Sequence, residues 1–442
     1  MLTTMRNAWQ MPDLRKKLLF TFFVIVIFRI GSAIPVPFVN PESLANLIAP
    51  MEASGSLVGY LNVLSGGNLE KATLFAMSIT PYINASIIMQ LLTVAITPLA
   101  NMAKEGEEGR KKIGAITRIV TIVLGLVQAT AYYTFLANGA DGNNNPLNLL
   151  QFSKVGFMGV FQAVVIILCF TAGTALMMWL GEQINAKGIG NGISILLFAG
   201  IVARMPVTIA ILWSSYKMGA QDPVKYFTTT AVILSLLATI WVIVLMNDSE
   251  RRIPVQYAKR VVGRKQYGGQ SSHLPIKVGM SGVLPIIFAG SILSIPSTIT
   301  LFAGEPTAGF WKGFMDQFKT TAPVYCILYF LLIIAFAYFY TSIQYNPLEM
   351  SNNLRKQAGT IPGIRPGKPT TDFIAKVLSK ITLIGALFLA FIAIAPIVVS
   401  AVTGISLALG GTSIIILVGV ALETTRTMES EMMMRHYKGF LD

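Results

Sequence analysis

Charged residues are scarce in this sequence. Asp, Glu, Lys and Arg make up 12% of its 442 residues, whereas hydrophobic residues make up 54%. A typical soluble domain has a charged share of about 25%, so too few polar side chains are present here to cover a water-soluble body. Intrinsic disorder is excluded as well, because disordered chains have low hydrophobicity. The composition therefore predicts an integral membrane protein.

Cysteine and histidine are almost absent. The two cysteines, Cys169 and Cys326, each lie within an apolar run, so we expect no disulfide framework. The two histidines, His273 and His436, leave little scope for a metal site or a histidine base. The sequence also lacks a G-x-x-x-x-G-K-[ST] phosphate loop, an H-E-x-x-H metal motif and a T-V-G-Y-G ion filter. We therefore expect no cofactor, no metal and no enzymatic activity.

Ten apolar stretches are long enough to cross a bilayer as helices, which takes about 20 residues. They lie near residues 18–35, 75–97, 114–136, 155–180, 193–213, 225–246, 279–301, 323–343, 381–401 and 410–428. The expected fold is an all-α integral membrane protein with ten transmembrane helices.

The basic residues lie mainly on one side of the membrane. The net charge is +14, and 26 of the 34 Lys and Arg residues fall in the N-terminal segment or in connections on its side. Seven fall on the opposite side, and Arg29 lies within the first span. Because cytoplasmic connections carry the excess of basic residues, this distribution places both termini in the cytoplasm.

The ten spans divide into two halves of five, residues 1–213 and 214–442. An odd number of spans in each half inverts the second half relative to the first. Helix-breaking residues concentrate in the second span of each half, as Pro81 in the first half and as Gly279, Gly282, Pro285, Gly290 and Pro296 in the second. Corresponding breaks in inverted halves indicate a site of action at the interface between the halves.

Small polar side chains accompany these breaks. They are Thr80, Asn84, Ser86 and Gln90 in span two, and Ser281, Ser291, Ser294 and Thr298 in span seven. Hydrogen bonds between such groups contribute about 0.6–2 kcal/mol each, which is weak enough for the contact to open. Ordinary packing between two membrane helices would use the same residues, so both interpretations stand.

The segment 55–67 is apolar but too short to cross the membrane. One interpretation is a re-entrant element enclosed by protein, because irregular backbone at membrane depth needs such an enclosure. The other is a loop packed on the outer surface.

Two cytoplasmic connections, 247–278 and 344–380, are long and basic. In the first, apolar residues alternate between Arg251 and Tyr257, which predicts a projecting hairpin. In the second, Pro and Gly surround Arg365 and predict a tight turn with this arginine at its tip. Such arms fit a docking surface for carboxylate or phosphate groups, including those of ribosomal RNA. The alternative is that the charges only set orientation or contact anionic lipid.

Six motifs resemble those of a known family. They are Leu64-Ser-Gly-Gly67, the stretch from Ile79 to Leu92 (ITPYINASIIMQLL), Gly188-Ile-Gly-Asn-Gly-Ile-Ser194, Ser272-His-Leu-Pro275, Pro362-Gly-Ile-Arg-Pro-Gly367 and Gly410-Gly-Thr-Ser413. With these motifs, and over nearly its whole length, the sequence resembles the SecY family, the channel subunits of the bacterial protein-export translocase. The resemblance implies a central hourglass pore between two inverted five-helix halves in the bacterial cytoplasmic membrane. Unfolded secretory polypeptides would pass through this pore, and membrane segments would leave it sideways into lipid.

The resemblance also implies site residues. The pore ring would comprise Ile79, Ile83, Ile193, Leu197, Ile287 and Ile416. The plug, near residues 55–67, would include Tyr60, Leu61, Val63, Leu64, Ser65, Gly66 and Gly67. The lateral gate between spans two and seven would include Thr80, Asn84, Gln90, Ser291 and Ser294. Contacts with a motor or the ribosome would involve Arg251, Arg252, Lys259, Arg260, Arg264, Arg365 and Tyr437.

Family partners follow from the same resemblance. They are the SecE and SecG subunits, the motor ATPase SecA, the ribosome through its RNA, signal sequences and nascent chains, and membrane lipids. Two positions depart from the family pattern: Ser78 stands where glycine is usual, and Gly279 stands where asparagine is common. We expect the first to affect helix packing and the second a polar contact near the gate.

Two other classes of function were weighed against a channel. A secondary transporter of small solutes would place carboxylates or histidines at mid-membrane, where the spans hold almost none. An intramembrane enzyme would need a nucleophile with its base, or a set of metal ligands, and the spans show neither. The sequence therefore favours a protein-conducting channel, and the resemblance implies that SecA or the ribosome drives it.

Overall fold

Helices dominate the computed structural model of the protein. It describes residues 2–53, 62, 65–138, 149–152, 156–218, 223–257, 260–262, 265–267, 271–280, 282–303, 309–318, 322–403 and 411–438. Its helices are α1 (Leu2–Gln10), α2 (Pro12–Gly31), α3 (Pro41–Ala53), α4 (Thr80–Ala95), α5 (Thr97–Lys104), α6 (Glu107–Asn138), α7 (Phe157–Lys187), α8 (Gly192–Ala203), α9 (Met205–Met218), α10 (Pro223–Asp248), α11 (Leu284–Ala303), α12 (Phe310–Asp316), α13 (Pro323–Gln344), α14 (Pro347–Lys356), α15 (Lys368–Thr403) and α16 (Gly411–Lys438).

Each of the ten predicted spans coincides with a helix or a helix pair. They are α2, α4, α6, α7, α8 with α9, α10, α11, α13, α15 and α16. Among the described residues, six of these qualify as membrane spans by length and hydropathy, and α4 with α5, bent by 99°, qualifies as a seventh. The other three are α2 and α16, whose ends carry charged residues, and α11, whose apolar stretch from Leu284 to Pro296 is short.

The helices of the two halves share one apolar core. It contains buried residues such as Phe28 and Leu196 from the first half and Ile286 and Tyr329 from the second. At the interface between the halves, α11 packs against α4 and α6, and α16 packs against α8. The second spans of the two halves therefore lie against each other, as the corresponding breaks in the sequence predict.

The two arms, 247–278 and 344–380, contain the strands: β1 (Glu250–Tyr257), β2 (Arg260–Val262), β3 (Lys265–Tyr267), β4 (Ser271–Lys277) and β5 (Gly359–Thr360). Antiparallel pairing of β1 with β4 puts Ile253 opposite Leu274, which confirms the predicted hairpin. Strand β5 comes from the second arm and pairs with the outer end of β1, a contact that the sequence did not predict. The predicted all-α membrane body is thus confirmed, and the strands lie in the two arms.

The arms pack into one small body with its own core. Ile253 and Val255 on β1 are buried together with Ile276 on β4, and Leu354 and Ile374 from the second arm cover them. The alternation of buried and exposed residues along β1 is the pattern of a strand with one covered face.

Candidate functional site

The six predicted pore-ring residues lie in one apolar cluster. Buried members are Ile79, Leu197 and Ile416, with exposed fractions of 1%, 5% and 2%. Ile83, Ile193 and Ile287 are partly buried and pack against the same cluster. The six come from α4 with its N-terminal cap, α8, α11 and α16, so both halves contribute. Branched apolar side chains gathered at a constriction exclude water and ions by dewetting.

The motif Gly188-Ile-Gly-Asn-Gly-Ile-Ser194 sets the start of α8, and with it the position of Ile193. The Asn191 side chain accepts hydrogen bonds from the backbone N–H groups of Ile193 and Ser194, at 3.1 and 3.4 Å, and so caps the helix. The next residue, Gly192, approaches α7 so closely that a Cβ there would overlap the carbonyl oxygen of Gly181. Only glycine fits this approach, which brings α8 against α7.

The residue before the pore ring is strained. Ser78 is buried and has a φ of 52°, in the left-handed region that favours glycine. A serine with this φ carries backbone strain of about 1–2 kcal/mol directly before Ile79. At this position we expected a change in helix packing. The structure instead shows a residue with a positive φ. At the other departure, a Cβ on Gly279 would lie 3.1 Å from Oδ1 of Asn247.

The predicted lateral-gate residues lie on two helices that pack together. Thr80, Asn84 and Gln90 are partly buried on or at the start of α4, and Ser291 and Ser294 lie on α11.

The hydrogen bonds described for Gln90 and Ser294 each stay within one helix. Gln90 Nε2 donates to Ser86 Oγ at 3.4 Å, and Ser294 Oγ donates to the backbone oxygen of Ser291 at 2.6 Å. The buried Oδ1 of Asn84 has no hydrogen-bond partner among the described residues. Separating α4 from α11 would therefore leave the two hydrogen bonds intact.

The predicted plug is described only at its C-terminal end. Tyr60, Leu61, Val63 and Leu64 lie outside the described residues. The three glycine-motif residues are described, and Ser65 Oγ and the Gly67 N–H both donate to the backbone oxygen of Asn62, at 3.0 and 2.9 Å. Asn62 is fully buried, as are Ser65 and Gly67, so this end of the segment is enclosed by protein.

Polar residues that follow this segment were missed by the sequence reasoning. Asn68 Nδ2 donates to Ser32 Oγ at 3.2 Å, and the hydroxyl of Tyr132 donates to the backbone oxygen of Leu69 at 2.7 Å. A buried arginine, Arg204, lies between α8 and α9. An arginine within an otherwise apolar span was the available signal, because such a residue is rarely tolerated there without a function.

The predicted docking residues of the first arm are mostly accessible where they are described. Arg251 and Arg252 begin β1 and are exposed, and Arg252 Nε lies 2.6 Å from Glu250 Oε1. Arg260 begins β2, opposite Tyr267. Lys259 and Arg264 lie outside the described residues.

The second arm places Arg365 at the tip of a fixed turn. The arginine is exposed between two glycines with positive φ, Gly363 at 82° and Gly367 at 104°. Its backbone oxygen accepts a hydrogen bond from Thr370 Oγ1 at 2.8 Å, which pins the turn to the start of α15. Because β5 joins the arms, this tip and the start of β1 belong to the same body. Tyr437, the last predicted docking residue, lies in α16.

Comparison with known proteins places this geometry in a family. The family model described as SecY matches residues 73–425. The chain is 42% identical to the protein translocase subunit SecY of Streptomyces galbus and to that of Bacillus subtilis (strain 168), in each case over 100% of both chains. It is 41% identical to the corresponding subunit of Thermotoga maritima, over 99% of this chain and 97% of the relative.

Solved structures agree in fold. A protein-conducting channel superposes with a TM-score of 0.66 at 19% identity, covering 94% of this chain and 92% of its own. A channel from the canine ribosome-channel complex of the endoplasmic reticulum gives 0.63 at 18% identity, with the same coverage. This likeness confirms the predicted membrane fold of ten helices in two halves. With a family model over most of its length and full-length relatives above 40% identity, the chain belongs to the SecY family.

Proposed function

We propose that this protein is a protein-conducting channel of the bacterial cytoplasmic membrane. It passes unfolded secretory polypeptides across the membrane and releases membrane segments sideways into lipid. The observation that carries this proposal is the gathering of six branched apolar residues from both halves in one cluster, in a member of a family of translocase subunits. The alternative of a secondary transporter is not supported, because the relatives are translocase subunits.

The channel opens by separating its two halves, residues 1–213 and 214–442. In the closed state the pore ring blocks ions, and the plug near residues 55–67 covers it from outside. A signal sequence enters between α4 and α11, where apolar contacts part without breaking the hydrogen bonds of Gln90 and Ser294. A ring of flexible apolar side chains can close around any translocating sequence, because it makes no specific contact.

The cytoplasmic arms bind the machinery that supplies the work. Exposed arginines lie at the start of β1 and at the tip of the second arm, and both positions are suited to the phosphates of ribosomal RNA and to carboxylates of SecA. SecE and SecG complete the complex in the membrane. The excess of basic residues keeps the arms and both termini in the cytoplasm.

Crosslinking from the pore ring tests the proposed function. A photoreactive amino acid is placed at Ile83 or Ile193, and a radiolabelled secretory chain is stalled during export. We expect the stalled chain to crosslink at both positions. The matched control is Ile119 on α6, an isoleucine that is 65% exposed on the apolar surface of the protein. Crosslinking to Ile119 that equals crosslinking to the ring would contradict a central passage.

A further inference from the structure

A charge pair that includes a buried arginine joins the turn after the proposed plug to the C-terminal end of a pore-ring helix. The structure describes the C-terminal end of the plug and the turn that follows it, Asn62 and residues 65–70, which we call the plug base. The inference that follows rests on the proposed function, because it concerns how this plug is held closed.

Arg204 supplies the positive charge. It lies at the junction of α8 and α9, where its side chain is only 7% exposed. A guanidinium group stays charged at any physiological pH, and burying it without a negative partner is strongly unfavourable. Its Nη2 atom lies 4.0 Å from Oε2 of Glu70, whose side chain is 25% exposed. The plug base therefore brings a carboxylate to the one arginine of this helix junction.

The carboxylate of Glu70 is held in place by Asn62. Oε2 of Glu70 accepts a hydrogen bond from Asn62 Nδ2 at 2.8 Å, and the Glu70 N–H donates to Asn62 Oδ1 at 3.0 Å. The backbone oxygen of Asn62 also accepts from Ser65 and Gly67. These bonds join the residues of the plug base into one unit. An interaction made by the Glu70 carboxylate therefore positions the whole plug base.

The two glycines of the motif seat this unit on α8. Gly66 has a φ of 75°, and a Cβ there would lie 2.7 Å from the carbonyl oxygen of Gly200. A Cβ on Gly67 would lie 3.7 Å from Arg204 Nη1. The plug base thus fits between the last turn of α8 and the guanidinium group, and a larger residue at Gly66 would push it away from α8.

We propose that Arg204 is a positioning residue for the plug, whose charge pair with Glu70 keeps the plug base seated on α8. The same helix carries Ile193 and Leu197 of the pore ring, so plug and ring are held by one element. When the pair is broken, the seated state loses its charge attraction and the unseated, ion-permeable state becomes more populated.

Ion conductance of the resting channel tests the proposal. The full-length channel is reconstituted in planar bilayers without motor or substrate, as wild type, Arg204→Gln, Glu70→Gln and a deletion of residues 57–67. We expect each single variant to raise the resting conductance by about tenfold or more, which corresponds to a shift of about 1.4 kcal/mol in the closed–open equilibrium. The matched control is Lys71→Gln, which removes an exposed charge next to Glu70 and should conduct like the wild type.

Restoring the charge pair in reverse distinguishes a charge interaction between residues 70 and 204 from side-chain packing alone. The double variant Glu70→Arg with Arg204→Glu should bring the conductance back to within about twofold of the wild type, because the opposite charges again face each other. Removing both charges, as Glu70→Gln with Arg204→Gln, should raise the conductance no more than the worse single variant, whereas an additive effect would contradict a pair. Wild-type conductance in the single variants, with a conducting deletion, would overturn the role of Arg204 and leave the plug in place. A deletion without increased conductance would overturn the plug itself.

Discussion

The plug base and the lateral gate use polar side chains in opposite ways. At the plug base, hydrogen bonds join separate elements: Tyr132 on α6 to Leu69, and Asn68 to Ser32 beyond the end of α2. At the gate, the bonds of Gln90 and Ser294 stay within α4 and α11. A bond between elements must break when the elements part, whereas a bond within a helix survives. Displacing the plug base would therefore break hydrogen bonds, whereas parting α4 from α11 would leave those of Gln90 and Ser294 intact.

The same contrast has a backbone component. The turn that leads from the plug base into the gate helix passes through two residues with positive φ, Ala72 at 44° and Ser78 at 52°. A non-glycine residue in this region of backbone conformation carries strain of about 1–2 kcal/mol. Ser78 thus belongs to neither region but to the link between them.

The largest expected effect comes from locking the gate. In a background with Cys169 and Cys326 replaced by alanine, cysteines at Gln90 and Ser291 are oxidised to a disulfide between α4 and α11. We expect translocation of a secretory protein to be abolished and restored by reductant, because the halves can no longer separate. Export is measured as protease-protected substrate in membrane vesicles.

A lock inside one half is the matched control for that experiment. A Cβ at Gly125 on α6 would lie 3.5 Å from the Cβ of Thr174 on α7, so cysteines at these two positions crosslink two helices of the first half. This second lock should leave export intact. If the lock between α4 and α11 also leaves export intact, the gate does not lie at this interface, and the comparison with the plug base fails.

An intermediate effect is expected from single hydrogen bonds. Tyr132→Phe should lower the free energy of unfolding by about 1 kcal/mol. The carbonyl of Leu69 keeps its second donor, the Ala72 N–H at 3.1 Å, so the loss stays at this level. Ser86→Ala, which removes the bond within α4, should lower it by no more than about 0.5 kcal/mol. Thermal unfolding in detergent compares the two, with Tyr133→Phe as the control. If Tyr132→Phe and Ser86→Ala lower the free energy of unfolding equally, hydrogen bonds between elements at the plug base contribute no more than those within the gate helix.

The sequence predicted the membrane body better than the plug base. Long apolar runs of period 3.6 must form helices in lipid, so the ten spans and the contact of α4 with α11 followed from hydropathy and from helix-breaking residues. The pore-ring roles of Ile83 and Leu197 were implied only by the resemblance to the SecY family, because isoleucine and leucine are common throughout membrane helices. Arg204 was counted only as one basic residue of an outer connection.

Long-range polar contacts explain these misses. The partner of Arg204 is Glu70, more than a hundred residues away in the sequence, and no local pattern couples the two. The pairing of β5 with β1 was missed for the same reason, since it joins two arms that three helices separate. Local periodicity identifies an element and its buried face, but it does not identify which polar residue of another element will meet it.

The smallest effect is expected at the link between the two regions. Ser78→Gly restores a residue that adopts a φ of 52° without strain, which favours the folded state by about 1–2 kcal/mol. Glycine also gains freedom in the unfolded chain, which offsets about 0.4–1 kcal/mol of that gain. We therefore expect a rise of about 0.8 kcal/mol, within a range of about 0–1.6 kcal/mol, in the free energy of unfolding, measured by thermal unfolding in detergent. Ser86→Gly, within the regular part of α4, should instead lower it by about 0.5–1 kcal/mol beyond the loss for Ser86→Ala. A loss of stability in both glycine variants would show that Ser78 is not strained, and the plug base and gate would then be joined by an ordinary turn.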